Sequence, residues 1–91
     1  MPQYIVERIL PNFTAEQLKA AATSAKQTTA KMTEEGTPIR YLRSFFIPGE
    51  EKCFCLFEGP SAELVQLAND RAQLPYERVV EGMHVSSEEL P

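Results

Sequence analysis

The sequence has no tryptophan, one histidine and two cysteines among its 91 residues. A single histidine leaves out paired-imidazole motifs. Cys53 and Cys55 have no second pair of ligands at a zinc-like spacing. Two apart on a strand, these thiols point to one face. They read as small apolar residues packed beneath helices rather than as a disulfide. Also absent are a phosphate-cradling glycine loop, a dinucleotide fingerprint and a Ser-His-Asp set, so no catalytic residue is assigned. No apolar run approaches the ~20 residues of a membrane span. Met1-Pro2-Gln3 leads into a strand without a basic or long apolar leader, so the expected location is the cytoplasm. Nine basic residues are scattered against thirteen acidic ones, for a net charge of −4. Without a basic patch, nucleic acid is not an expected partner.

What is present is organised around residues 39–58, IRYLRSFFIPGEEKCFCLFE. Two aromatic and β-branched runs flank Pro48-Gly49-Glu50-Glu51, the pattern of a β-hairpin. With the tip at Gly49 and Glu50, Ser44 faces Cys55 and Phe46 faces Cys53 on one surface, with Leu42 opposite Phe57. On the other surface Phe45 faces Phe54, Arg43 faces Leu56 and Tyr41 faces Glu58. Both surfaces are largely apolar, so both require cover.

The flanks supply the remaining elements. Residues 3–10 read as a strand ended by Pro11-Asn12. Thr14 and Gln17 fit a capping box for a helix that Gly36 stops. Ser61 caps a second helix, ended at Leu74-Pro75. Residues 76–85 read as the last strand, and residues 86–91 as a loose polar tail. The order β-α-β-β-α-β over residues 1–91 predicts one α+β domain of the ferredoxin-like kind. It has a four-stranded antiparallel sheet with two helices on one face. Leu42, Ser44, Phe46, Cys53, Cys55 and Phe57 are expected beneath the helices. Tyr41, Arg43, Phe45, Ile47, Lys52, Phe54, Leu56 and Glu58 are left on the open face, which a homodimer would cover. Arg43 and Glu58 are expected to pair there. Glu7 and Arg8 lie on opposite faces of the first strand, so one of them faces the dimer cavity.

The chain also resembles a family of small bacterial proteins catalogued as a domain of unknown function and labelled nickel-binding-protein-like. The residues that carry the likeness are Tyr4-Ile5-Val6-Glu7-Arg8, Tyr41-Leu42-Arg43-Ser44-Phe45, Cys55-Leu56-Phe57-Glu58, and the run from Ala68 to Leu74-Pro75. The resemblance covers nearly the whole chain and implies a ferredoxin-like dimeric α/β barrel with nickel as a cofactor. Tyr41 and Phe45 stand where the family has Trp and Tyr. Leu67 stands where many members have His, and Gln73 where Gly is usual.

A divalent nickel site favours imidazole, with carboxylates assisting. His84, Glu7 and Glu81 are therefore the metal candidates, with Glu58 as a further oxygen donor. His84 and Glu81 are three apart in the last strand, so they should point to opposite faces. Cavity candidates are Glu7, Arg8, Tyr41, Arg43, Phe45, Phe54 and Glu58. The expected function is a small binding protein that holds a metal ion or small molecule. The rival is a small-molecule enzyme of isomerase, cyclase or cofactor-poor monooxygenase type, acting in the barrel cavity; it rests on fold analogy. A third reading is an interaction module without chemistry.

Overall fold

Thr14 opens the first helix through the reciprocal bonds its sequence offers. In the computed structural model, which describes residues 1–91, the Gln17 amide donates to the Thr14 hydroxyl at 3.1 Å. The Thr14 amide donates to the Gln17 side chain at 2.9 Å. This capping box satisfies amides that have no partner within the helix. The helix is α1, Ala15–Glu34, and it follows strand β1, Gln3–Ile9. Strands β2, Arg40–Ile47, and β3, Lys52–Glu58, form the hairpin; α2, Ala62–Arg71, and β4, Arg78–Gly82, complete the fold. Ser61 caps α2 by accepting from the Leu64 amide at 3.2 Å.

The sheet runs β2-β3-β1-β4, with every neighbour antiparallel. This is the ferredoxin-like α+β arrangement. Alternation decides which face is buried. Tyr4, Val6, Cys53, Cys55 and Phe57 point beneath the helices and pack with Ala25, Met32, Val65 and Ala68 in one apolar cluster. The small side chains among them, Ala25, Cys53, Cys55 and Ala68, let the helices lie close to the sheet. The molecule measures 38 × 35 × 21 Å. Its short dimension holds one sheet and one helix layer, since each layer is about 10 Å thick. No helix is long and apolar enough to cross a membrane.

Both helices end alike. Gly36 and Thr37 donate back to Thr33 and Met32 after α1, and Gln73 and Leu74 donate to Asp70 and Asn69 after α2. These bonds form the Schellman pattern, which requires a residue at positive φ. Gly36 supplies it at 105°, whereas Gln73 is held at 58°. Glycine at position 73 would fit this turn without its Cβ meeting the following carbonyl.

The hairpin differs from the sequence reading at one point. Pairing holds from Ile47↔Lys52 to Arg43↔Leu56, but then Tyr41 pairs with Phe57 and Arg40 with Glu58. A β-bulge at Tyr41–Arg43 leaves Leu42 unpaired and moves Tyr41 from the expected open face to the helix face. The reason lies in α1. β2 is an edge strand, and its Tyr41 amide donates to the buried Thr29 hydroxyl at 3.2 Å. The Tyr41 ring then meets Phe57 edge-on, 5.5 Å between centroids. The last strand is also shorter than expected, ending at Gly82, and residues 87–89 of the tail form a 3₁₀ turn.

Gln73→Gly should raise stability by about 1 kcal/mol, read as a thermal midpoint several degrees higher. Gly36→Ala should lower it. An unchanged midpoint in Gln73→Gly would show that the left-handed turn costs the chain nothing.

Candidate functional site

Ile5, Phe54 and Leu56 project from β1 and β3 onto the sheet face that carries no helix, with Phe45 beside them on β2. After Gly82 the chain leaves β4 and turns over this face. A Cβ at Gly82 would lie 2.9 Å from Ile5 Cδ1, so the absence of a side chain lets the backbone pass close. Met83 and His84 are thereby brought over the sheet. They join Ile5, Arg43, Phe45, Phe54 and Leu56 around an open cleft of about 200 Å³. The cleft is apolar at its floor, with two nitrogen-bearing side chains at its rim. Arg43 Nη1 lies 3.3 Å from His84 Nε2, joining the two edges of the sheet. Phe45 is 69% exposed and Met83 87% exposed, so the apolar lining continues onto open surface.

The other candidates are distributed differently. Glu7 faces the open side and pairs with Arg78 at 2.8 Å. Arg8 points the opposite way, under the helices. Glu58 is on the open side but pairs with Arg40 at 3.2 Å, not with Arg43, because the bulge shifts the register by one residue. Glu81 stands opposite Tyr4, which puts it on the helix side of the edge strand, exposed to water. His84 lies beyond the strand, its amide donating to Gln3 Oε1 at 3.2 Å, so the alternation argument does not reach it. No three His, Cys, Asp or Glu side chains gather closely enough to hold a metal ion.

A second polar group sits on the helix side. Arg8 Nε donates to Cys55 Sγ at 3.4 Å, and Nη1 donates to the Pro75 carbonyl at 3.1 Å. Cys55 also meets the Ser44 hydroxyl at 2.9 Å and Cys53 Sγ at 3.7 Å; the Tyr41 hydroxyl is 2.7 Å from Ser44 Oγ. The Cys53 thiol, then the Arg8 charge and the Ser44 hydroxyl, hold the Cys55 thiol down to about 6, against burial, which raises it. Cys53 is pushed up, first by its bond to Cys55 and then by burial. Burial also raises Tyr41, which keeps its hydroxyl protonated. The sequence signal for this group was the unusual arginine between apolar residues of β1.

A sequence profile described as "Nickel responsive protein SCO4226-like" matches residues 4–81. Among solved structures, the chain is similar to one titled "Crystal structure analysis of SCO4226 from Streptomyces coelicolor A3(2)". The TM-score is 0.75 at 22% identity, over 92% of this chain and 99% of that one. At this identity the likeness shows the fold alone. No curated protein sequence matches.

Proposed function

The chain belongs to the SCO4226-like family of nickel responsive proteins, and on that premise we propose that it is a small nickel-binding protein that works as a homodimer. Two copies meet through their open sheet faces, and the ligand lies in the cleft they enclose. The observation that carries this reading is the apolar open face, with Phe45 and Met83 exposed beside Ile5, Phe54 and Leu56. A second copy suits it because the face carries an apolar centre and both signs of charge, with Arg43 and Lys52 against Glu7 and Glu58. The broad face of the 38 × 35 Å slab exceeds the ~800 Å² that each partner buries in a typical stable interface.

The residues of one copy do not fit a nickel ion. Glu7 and Glu58 are held by arginines, Glu81 faces away, and His84 stands against a guanidinium. In a dimer the two His84 side chains would be the imidazole donors, and Arg43, now 3.3 Å from Nε2, would have to release that nitrogen. Binding rather than turnover is the role we assign. The ring nitrogen that would act as a base is engaged by Arg43, and the one nucleophilic residue in the lining, Cys55, directs its sulfur to the helix side of the sheet.

Sedimentation at micromolar concentration should give about twice the chain mass of 10.3 kDa. Phe45→Asp should sediment as a folded single chain, because an unpaired carboxylate is costly in a closed interface but not on an exposed surface. A monomeric wild type would contradict the dimer.

Calorimetry with Ni²⁺ and Zn²⁺ on tag-free protein tests the ligand. His84→Ala should lose at least tenfold in nickel affinity, and Arg43→Ala should gain. If tag-free dimer takes up no nickel, the metal reading is wrong. The Arg43–His84 rim over an apolar floor then favours a small anion with an apolar body.

A further inference from the structure

Arg8 is 2% exposed and takes part in none of the ion pairs, which are Arg40–Glu58, Arg71–Glu35 and Arg78–Glu7. A buried cation without an anion is strongly unfavourable. The acidic group that its guanidinium touches is the Cys55 sulfur; its other bond goes to a neutral carbonyl. That sulfur has three potential donors around it: Arg8 Nε, the Ser44 hydroxyl and the Cys53 thiol. Ser44 can give its proton to Cys55 because the protonated Tyr41 hydroxyl can donate to Ser44 in turn. A neutral thiol is a weak acceptor, so convergence of this kind suits a thiolate. The remaining surroundings are apolar. α1 contributes Leu18, Ala21, Ala22 and Ala25, and Leu74 comes from beyond α2, with no carboxylate or second basic group.

We propose that Cys55 is a resident thiolate with Arg8 as its counter-ion, and that it reacts with neutral electrophiles of peroxide size. The space beside the two sulfurs is about 10 Å³, close to that of one water molecule. It lies between the sheet and α1, away from the open face, so dimer formation there leaves it unchanged. Hydrogen peroxide, with two oxygens, enters with a small outward shift of Leu18 and Leu74, whereas bulky or charged reagents would require α1 to leave the sheet. In the reaction the Cys55 sulfur attacks one peroxide oxygen. An S–O bond forms, the O–O bond breaks and hydroxide leaves, to be protonated by solvent. The sulfur is oxidised to a sulfenic acid and the peroxide is reduced.

The ultraviolet absorbance of the thiolate tests this on tag-free, folded protein. Wild type should show a transition near pH 6, matching the depressed Cys55 thiol. Cys55→Ser should lose it, and Arg8→Met should move it upward. A thiol lowered in the folded state stabilises fully above the unfolded value of ~8.5, and the gain is lost as pH falls through about 6. The wild-type thermal midpoint should therefore rise across that window, and that of Cys55→Ser should stay flat. After stoichiometric peroxide, peptide mapping should place one added oxygen at Cys55. Mapping separates this from oxidation of the exposed Met83. A bulky maleimide should leave the folded protein unmodified. Absence of any transition below the ordinary thiol range in wild type would overturn the proposal, whether or not Arg8→Met folds. So would oxidation at Cys53 that persists unchanged in Cys55→Ser.

Discussion

A sheet has two faces, and this chain uses both helices to cover one of them. Most features of the molecule follow from that constraint. The covered face can be packed with small side chains, so α1 lies close enough for Thr29 to reach the backbone of an edge strand. The uncovered face keeps Ile5, Phe45, Phe54 and Leu56, more apolar surface than a solvated sheet normally shows. The segment after Gly82 lies over part of it and carries the only histidine there. The cleft arises because one strand ends early and its continuation crosses the sheet.

The two faces thus carry different chemistry. On the open side, charges pair at the periphery, Glu7 with Arg78 and Glu58 with Arg40, leaving Arg43 and His84 beside the apolar floor. On the covered side a cation is enclosed among thiols and hydroxyls without a carboxylate. Burial magnifies the second arrangement, because a low-dielectric surrounding raises the cost of an unmatched charge and the value of each donor aimed at the matching one. Arg8 and Glu7 are neighbours in sequence, yet strand alternation sends one to each environment.

The fold was legible where the signal is local. Thr14 and Gln17 are three residues apart and cap the helix they announce. Pro48-Gly49 marks the hairpin, whose register follows from the turn as far as Arg43. The bulge was not legible, because neither Gly nor Pro marks it; it depends on Thr29, a residue of another element. The same limit applies to Arg8, whose burial relies on Ser44, Cys55 and Pro75, all distant in sequence. It also affected Glu58, read as the partner of Arg43 because the register was carried one residue too far. For His84, β-like residues beyond Gly82 suggested a continuing strand, whereas the chain turns there across Ile5. Gln73, noted only as a departure from a usual glycine, proved to be the residue with positive φ.

The proposed dimer requires that a second copy close the open sheet face. Isotope-filtered NMR on a mixture of labelled and unlabelled chains tests it most directly, because it registers only proton contacts between different molecules. Contacts between copies are expected from the Phe45 and Phe54 rings to the methyl groups of Ile5 and Leu56. Contacts confined to the outer surfaces of α1 and α2, or none in a sample at dimer mass, would contradict it.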